Sequence, residues 1–201
     1  MIEASVRKKL GTFSLAADLN DGGFICLAGR NGSGKSCFMK AMAGQLPIEE
    51  GFVRVGGTDV TRLPIEKRGV VMVIPGSAIP HLKVDAHLRW GARLRKIPLD
   101  EERVAKVKAD LGIDYGGRVR TLSLGMRERV SLATAILSSP RAILVDEAFS
   151  NLHEKEAFIT AYRKLAGEAG IDVVFSTQDE SDAKLADHLY VISEGKTQKR
   201  A

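Results

Sequence analysis

The stretch FICLAGRNGSGKS, residues 24–36, restricts the fold more than any other part of the chain. Five apolar residues precede Gly29-x-x-x-x-Gly34-Lys35-Ser36, and a helical pattern follows. Such glycines let backbone N–H groups turn inward around phosphate oxygens, and the start of a helix adds positive partial charge. Lys35 can then reach the β- and γ-phosphates, and the Ser36 hydroxyl can ligate Mg²⁺. The pattern predicts a strand, a phosphate-binding loop and a helix, whereas a glycine-rich turn that only caps a helix is the alternative.

The loop and the first helical turn supply the predicted nucleotide contacts. Their shared feature is a backbone N–H or a short polar side chain close to the phosphates. The predicted binding residues here are Gly29, Asn31, Gly32, Ser33, Gly34, Lys35, Ser36 and Cys37.

Short continuous apolar runs indicate strands that are buried on both faces of a parallel sheet. These runs are FICLA (24–28), VVMVI (70–74), AILV (142–145), DVVFS (172–176) and LYVI (189–192). Residues 13–19 instead alternate apolar with polar or small residues, and together with GFVRVGG (51–57) they predict a half-exposed antiparallel edge.

Helical patterns separate the strands. Phe38, Ala41 and Met42 share one face, and residues 84–119 show helical signals without a convincing strand. The second helix of that segment opens after Pro98 with acidic residues in its first turn. An α/β sheet with a helical insertion is therefore the predicted architecture.

A second functional motif is RAILVDEAFSNLH, residues 141–153, in which an apolar strand ends in two carboxylates. Asp146 is well placed to hold Mg²⁺, usually through water, and Glu147 can orient or polarise an attacking water. The alternative is that both carboxylates only cap the next helix.

Length and composition limit the class of protein. A chain of 201 residues with 44% apolar and 27% charged residues is typical of one folded globular domain. The net charge of +5 fits contact with phosphate, nucleic acid or an anionic membrane, but a solvated surface explains it as well. Cys26 and Cys37 lie in apolar surroundings at no metal-binding spacing, so we expect reduced core thiols. No apolar run approaches the roughly 20 residues that span a bilayer, so we expect any action on a membrane to need a partner.

From about residue 6 to residue 195, the chain resembles the ATP-binding-cassette (ABC) ATPases, particularly the subunits of import-type transporters. Residues 56–73 look like the segment leading to the family's glutamine loop, and IPHLKV (79–84) looks like the segment just after it. LSLGM (122–126) falls at the family's signature, FSNLH (149–153) at its D-loop and STQDESDA (176–183) at its switch-histidine loop.

This resemblance implies a P-loop NTPase (RecA-like) fold: a mostly parallel sheet with antiparallel edge strands and a helical insertion subdomain. We expect one domain over residues 1–201, with a core of about 1–74 and 120–201 and a helical subdomain of about 75–119. It also implies ATP and Mg²⁺ as ligands, and a homodimer or heterodimer in which each site joins one subunit's loop to the other's signature. Ser123 and Gly125 occupy the signature positions that contact the partner's γ-phosphate.

Several positions depart from the family pattern. Leu124 replaces the first glycine of the signature and Met126 replaces its glutamine, so we expect a weakened signature that still binds; a Ser-capped amphipathic helix is the local alternative. Pro75 falls near the position of the family's glutamine loop, whose polar side chain contacts Mg²⁺ or water. Neither Pro75 nor Ile74 has a polar side chain that could make this contact. His153 replaces the D-loop aspartate. Gln178 stands at the switch histidine; its amide can still donate to a γ-phosphate but carries no proton-linked charge.

These residues predict ordinary ATP·Mg²⁺ binding with slow hydrolysis, in which Lys35, Glu147 and Gln178 carry the catalytic roles. The leading hypothesis is a cytoplasmic subunit, peripheral on the inner face of the cell membrane, that drives solute transport by transmembrane permease subunits. Two alternatives stay open: a soluble non-transport ABC ATPase, and a regulatory ATP-binding subunit with little turnover. Nucleic acid is a disfavoured partner.

Overall fold

A computed structural model describes residues 1–200, which form ten β-strands and five α-helices. The strands are β1 (Ile2–Leu10), β2 (Phe13–Asp21), β3 (Phe24–Ala28), β4 (Glu50–Val55), β5 (Thr58–Asp59), β6 (Val70–Val73), β7 (Ala142–Asp146), β8 (Asp172–Thr177), β9 (His188–Ser193) and β10 (Lys196–Arg200). The helices are α1 (Lys35–Ala43), α2 (Val84–Leu94), α3 (Glu101–Asp110), α4 (Leu124–Leu137) and α5 (Lys155–Glu168).

The strands form one sheet in the order β5-β4-β1-β2-β10-β9-β3-β8-β7-β6. The pairs β9–β3, β3–β8 and β8–β7 are parallel, and every residue of β3 and β7 is buried. Continuous apolar runs produce this arrangement because both faces of these strands are covered. The predicted α/β fold with parallel central strands is confirmed.

The end strand β6 differs from its prediction. Three of its four residues are only half-buried, and Ile74, predicted as part of it, lies outside the strand with 44% of its surface exposed. A strand at the end of a sheet has a neighbour on one side only, so fewer side chains cover it.

The antiparallel part of the sheet is wider than the sequence indicated. β1 pairs with both β2 and β4, and β10 pairs antiparallel with β9. The alternating pattern predicted β2 and β4, but β1 and β10 were not predicted. β10 has the sequence KTQKR, which carries no apolar pattern; backbone pairing with β9 holds it, and most of its side chains are exposed.

The residues divide into two compact units. The first comprises Met1–Met72, Arg141–Asp146 and Asp172–Ala201, and the second comprises Val73–Pro140 and Glu147–Ile171. In the first unit, α1 contributes the predicted face of Phe38, Ala41 and Met42 to the hydrophobic core. Cys26 is fully buried, whereas Cys37 is only half-buried against this core, and neither forms a disulfide.

The second unit contains α2 to α5. Helix α3 begins after Asp100, whose carboxylate accepts a hydrogen bond from the N–H of Glu102, in line with the predicted start. Val104 and Val107 on α3 are buried, as is Leu111 just beyond its end. The predicted helical subdomain of about 75–119 falls within this unit, which also includes residues 120–140 and 147–171. The domain boundaries remain a prediction.

Within residues 1–200, the longest helices have 14 residues and none is long and apolar enough to cross a membrane. The same residues contain no group of three or more His, Cys, Asp or Glu side chains arranged to hold a metal ion.

Candidate functional site: a phosphate-binding loop

The predicted phosphate-binding loop joins β3 to α1 in the first unit. Gly32 and Gly34 have φ angles of 76° and 110°, a backbone region that residues with a Cβ rarely adopt. Gly34 directly precedes α1, and the N–H of Phe38 bonds to its carbonyl at 2.9 Å. The first N–H groups of a helix have no partner inside the helix, and α1 has no acidic residue in its first turn. This end of α1 therefore suits an anion.

Gly29 shows why the loop begins with a glycine. A Cβ at this position would lie 2.4 Å from the carbonyl oxygen of Ile192 and 2.8 Å from Ser33 Oγ. Both distances are below any normal contact, and one of the atoms is backbone that cannot rotate away. The close approach of the loop to β9 thus requires glycine.

Lys35 is folded into the loop itself. Its side chain is buried, and Nζ donates to the carbonyl oxygens of Gly29 at 2.7 Å and Arg30 at 3.1 Å. These bonds hold the ammonium group inside the loop, at the point where a polyanion is predicted.

Ser33 gives an independent indication that the loop suits a ligand. Its hydroxyl oxygen is buried and has no hydrogen-bond partner in the structure. Buried polar atoms without partners are rare in folded proteins and call for an explanation. Asn31 and Gly32 are exposed, while Ser36 and Cys37 are half-buried in the first turn of α1. The loop residues present fit a bound polyphosphate.

Asp146 ends β7 and is buried, with 7% of its surface exposed. It lies opposite Ser176 in the parallel β7–β8 register, and the Ser176 hydroxyl donates to Asp146 Oδ1 at 2.7 Å. Ala28, the last residue before the loop, pairs with Thr177 of β8. Parallel strands end at one edge of the sheet, so the loop and Asp146 meet at that edge, where ligands bind in open α/β folds. A carboxylate oxygen of Asp146 and the Ser36 hydroxyl are both ligands that Mg²⁺ accepts.

Gln178 follows directly after β8 and is exposed at the same edge. The segment around it is anchored because the Thr177 hydroxyl donates to the Asp182 carboxylate, which is itself buried. The Asp179 N–H donates back to the Thr177 hydroxyl at 3.1 Å. These bonds fix the backbone on both sides of Gln178.

The remaining predicted residues belong to the second unit. Glu147, the first residue after β7, is half-buried and has a φ of 59°, although it is not a glycine. A non-glycine residue in this region costs about 1 kcal/mol or more and is found preferentially at functional sites. The turn is closed by the Ser150 N–H, which donates to the Glu147 carbonyl at 3.1 Å.

Ser123 is the N-cap of α4, and its exposed hydroxyl accepts from the Met126 N–H at 3.3 Å. The local alternative, a Ser-capped helix, is therefore correct as a description of the local structure. Leu124, in place of a glycine, has 43% of its surface exposed. Gly125 is constrained from within, because a Cβ there would lie 3.0 Å from the carbonyl oxygen of Asn151.

Two of the predicted departures form tight local structures. The Ile74 N–H donates to the Ser77 hydroxyl, and the Ser77 hydroxyl and N–H both donate to the Ile74 carbonyl. These bonds make residues 74–77 a closed turn. The Gly76 N–H of this turn donates to Glu128 Oε1 on α4 at 2.9 Å. At the D-loop, the His153 carbonyl accepts from Arg129 at 3.0 Å, so the histidine position is held through its backbone.

Two residues that the sequence reasoning did not assign lie next to the predicted ones. Glu128 is 1% exposed, its Oε2 has no partner, and burial raises the pKa of its carboxyl group above the ordinary value. Ser176 bonds to Asp146, as described above. The sequence feature that could have indicated Ser176 is its hydroxyl at the end of the otherwise apolar run VVFS. No sequence feature indicates that Glu128 is buried, since acidic residues on helices are usually exposed.

A buried strand leading into a glycine-rich loop, a lysine folded into that loop and a strand-end aspartate at the same sheet edge define the P-loop NTPase class. The sequence model of a family described as ABC transporter matches residues 13–150, more than half of the chain. The chain therefore belongs to the ABC transporter family.

Relatives and solved structures agree with this assignment. The chain is similar to the sulfate/thiosulfate import ATP-binding protein CysA of Synechocystis sp., with 34% identity over 96% of this chain and 58% of that protein. It is also similar to the putative 2-aminoethylphosphonate import ATP-binding protein PhnT of Salmonella typhimurium, with 35% identity over 90% of this chain and 52% of that protein. The chain thus spans a little over half the length of these relatives.

The solved structure of the ATP-binding cassette MJ0796 in a dimeric post-hydrolysis state, bound to ADP and Pi, matches with a TM-score of 0.81. Sequence identity is 21%, and the match covers 100% of both chains. A solved ATP-binding subunit of an ABC transporter gives the same TM-score at 19% identity, covering 100% of this chain and 90% of the other. These likenesses show a shared fold.

Proposed function

We propose that this chain is the ATP-binding subunit of an ABC importer, which binds ATP·Mg²⁺ at the loop of residues 29–36 and hydrolyses it slowly. The observation that carries the proposal is the glycine-rich loop, with the buried Lys35 side chain and the unpartnered Ser33 hydroxyl, at a helix start that has no acidic residue. Triphosphate oxygens can accept hydrogen bonds from the loop N–H groups, from Ser33 and from Lys35. The import-type relatives support transport as the use of that binding energy.

Each residue has a role that follows from its position. The loop N–H groups and Lys35 bind the β- and γ-phosphates, with Ser33 and Asn31 as further polar contacts. Ser36 and Asp146 hold Mg²⁺, which supplies positive charge between phosphate oxygens. Glu147 orients the attacking water, and the Gln178 amide donates to the γ-phosphate. The first helix turn, including Cys37, completes the phosphate contacts through its backbone.

The second half of each site comes from another subunit in this proposal. Ser123 is exposed at the N-terminus of α4, where its hydroxyl and the first N–H groups of the helix suit a partner's γ-phosphate. ATP then closes a homodimer or heterodimer, and hydrolysis with product release reopens it. Leu124, Gln178 and the 74–77 turn stand where the family has residues that time hydrolysis, and these replacements make the cycle slow.

The membrane partner is supported by an apolar surface on α2. Trp90 and Leu94 are 43% and 64% exposed and are four residues apart, so they share one face of the helix. Exposed large apolar side chains that lie together mark interaction surfaces. We assign this surface to transmembrane permease subunits, which would place the chain on the cytoplasmic face of the membrane.

Co-purification from detergent-solubilised membranes tests this role. The tagged chain should retain a polytopic membrane protein, and ATPase activity should be higher in that complex than in the isolated chain. Replacing Trp90 and Leu94 together by alanine should release the membrane protein, while Ile65→Ala, which removes an exposed apolar residue elsewhere, should retain it. A complex that stays intact without Trp90 and Leu94 would overturn the assignment of this surface.

The same assay separates the runner-up, a regulatory subunit that binds ATP with little turnover. It is favoured by the exposed Leu124 and by the tight 74–77 turn in place of the glutamine loop. Nucleotide binding without any turnover, either alone or in the complex, would support the regulatory role over the importer ATPase.

A further inference from the structure

Ser176 is a polar residue in a place where the chain otherwise puts apolar side chains. It belongs to β8, which lies between β3 and β7, and only 2% of its surface is exposed. The three residues before it in the strand, Val173, Val174 and Phe175, are buried and apolar, and Thr177 after it is buried and bonds to Asp182. A buried hydroxyl costs free energy unless it is hydrogen-bonded, so a serine here needs a partner.

That partner is the Asp146 carboxylate. The two residues lie opposite each other in the parallel register, and the Ser176 hydroxyl donates to Oδ1 over 2.7 Å. Hydrogen bonds between a hydroxyl and a carboxylate are of the charge-assisted, stronger kind. The bond restricts rotation of the carboxylate about its side-chain torsions, and Oδ2 takes no part in it.

We infer that Ser176 is a positioning residue that fixes the Asp146 carboxylate for a divalent cation bound together with a nucleoside triphosphate. The inference rests on the proposed function, since it assigns the cation to Asp146. A carboxylate already held in one orientation loses less conformational freedom when it binds the cation, directly or through water. Outer partners of metal-binding side chains typically contribute 10- to 100-fold to metal affinity.

Nucleotide affinity measured with Mg²⁺ and without Mg²⁺ distinguishes a positioning role of Ser176 from a purely structural one. If Ser176 acts through Asp146, its removal weakens only the part of nucleotide affinity that depends on Mg²⁺. If Ser176 only supports the sheet or the nearby loop, its removal changes affinity equally with and without Mg²⁺, or not at all.

The test is binding of a fluorescent ATP analogue to the purified chain, first in EDTA and then with increasing Mg²⁺. Ser176→Ala should bind like the wild type in EDTA but need about 10- to 100-fold more Mg²⁺ for half of the Mg²⁺-dependent gain. Ser176→Thr keeps the hydroxyl and should stay close to the wild type. Ser131→Ala is the matched control, because Ser131 is also a buried serine but its hydroxyl has no partner.

A double mutant makes the test sharper. In an Asp146→Asn background, adding Ser176→Ala should change the Mg²⁺ requirement no further, since a residue that acts through Asp146 has nothing left to position. Ser176→Ala titrating with Mg²⁺ like the wild type would overturn the inference, and so would an equal loss in EDTA. A wild-type chain that binds no nucleotide would instead overturn the proposed function, so the two failures are distinguishable.

Discussion

The phosphate-binding loop and the Ser123 segment differ in what holds their residues in place. In the loop, Gly29 has no room for a Cβ and Lys35 is buried with two backbone partners. In the segment at the start of α4, Ser123 and Leu124 are exposed. The loop residues that we propose for ligand binding are thus also needed for the fold, whereas the fold depends little on Ser123 and Leu124.

This contrast explains where the chain departs from its family's pattern. We expect a change in the loop to damage the fold as well as the proposed ligand site, and the loop motif is complete. We expect a change at Leu124 to cost the fold little, since 43% of its surface is exposed. Gly125 is the exception within its segment, because a Cβ there would lie 3.0 Å from the Asn151 carbonyl oxygen, and this position matches the family's signature.

The largest expected effect is on the loop. Lys35→Ala removes a charged donor, and hydrogen bonds to charged groups contribute about 1.5–3 kcal/mol each, so nucleotide affinity should fall by about 100-fold. Lys40→Ala on the exposed side of the same helix is the control and should bind normally. Isothermal titration measures both affinities. An unchanged affinity of Lys35→Ala would show that Lys35 serves the fold of the loop and not nucleotide binding.

The second effect concerns turnover rather than binding. Gln178→His restores a side chain that can carry a proton-linked charge at the γ-phosphate, and this charge should raise the rate of ATP hydrolysis by about 10- to 100-fold. Gln45→His, at an exposed site on the loop after α1, serves as the control. Phosphate release under saturating ATP is the measurement, and an unchanged rate would show that Gln178 does not limit hydrolysis.

A smaller effect is expected at Leu124. Leu124→Gly should raise ATP turnover several-fold at high protein concentration, because the exposed side chain no longer crowds the nucleotide of a second subunit. The fold should lose at most about 1 kcal/mol, the usual cost of glycine in a helix. Leu124→Ala removes the bulk without that flexibility and should give an intermediate rate. A drop in turnover with Leu124→Gly would mean that the leucine makes a favourable contact instead.

The smallest effect is on stability and depends on pH. Burial raises the pKa of Glu128 in the folded chain, so the folded state favours the protonated carboxyl. Below the unfolded-state pKa both states are protonated and nothing is lost. As pH rises through the folded-state pKa, the wild type should lose stability relative to Glu128→Gln, by about 1.4 kcal/mol for each unit between the two pKa values.

Urea unfolding at pH 4 to 8 measures this difference, and Glu66→Gln, at an exposed carboxyl, should run parallel to the wild type throughout. A gap between wild type and Glu128→Gln that does not widen with pH would show that the Gly76 hydrogen bond offsets the cost of burial. The hydrogen bond between Glu128 and Gly76 would then stabilise its part of the fold, as the backbone partners of Lys35 stabilise the loop.

Most of the fold followed from the sequence because its signals are local. Apolar runs marked the parallel strands within one or two residues, and the glycine-lysine-serine pattern marked the start of α1. β1 carries its own alternation, since Ile2, Ala4 and Val6 are buried and the residues between them are only half-buried, but this pattern was not assigned to a strand. β10 escaped prediction because its residues carry no strand pattern and its pairing with β9 makes it a strand.

The candidate site was less completely predictable. The loop, Asp146 and Gln178 could be assigned because each falls next to a strand end that the sequence already marks. Ser176 needed the β7–β8 register, which no local pattern contains. Glu128 needed the contact with Gly76, 52 positions away in the chain.

The central claim is that a triphosphate in the loop of one subunit meets Ser123 of another. The most direct measurement is the molar mass of Glu147→Gln in solution with saturating ATP and Mg²⁺, with bound nucleotide quantified in the same sample. Our account predicts a dimer that forms with ATP, dissociates when ATP is removed and is lost when Ser123 is also changed to arginine. A monomer with fully occupied nucleotide sites would contradict it.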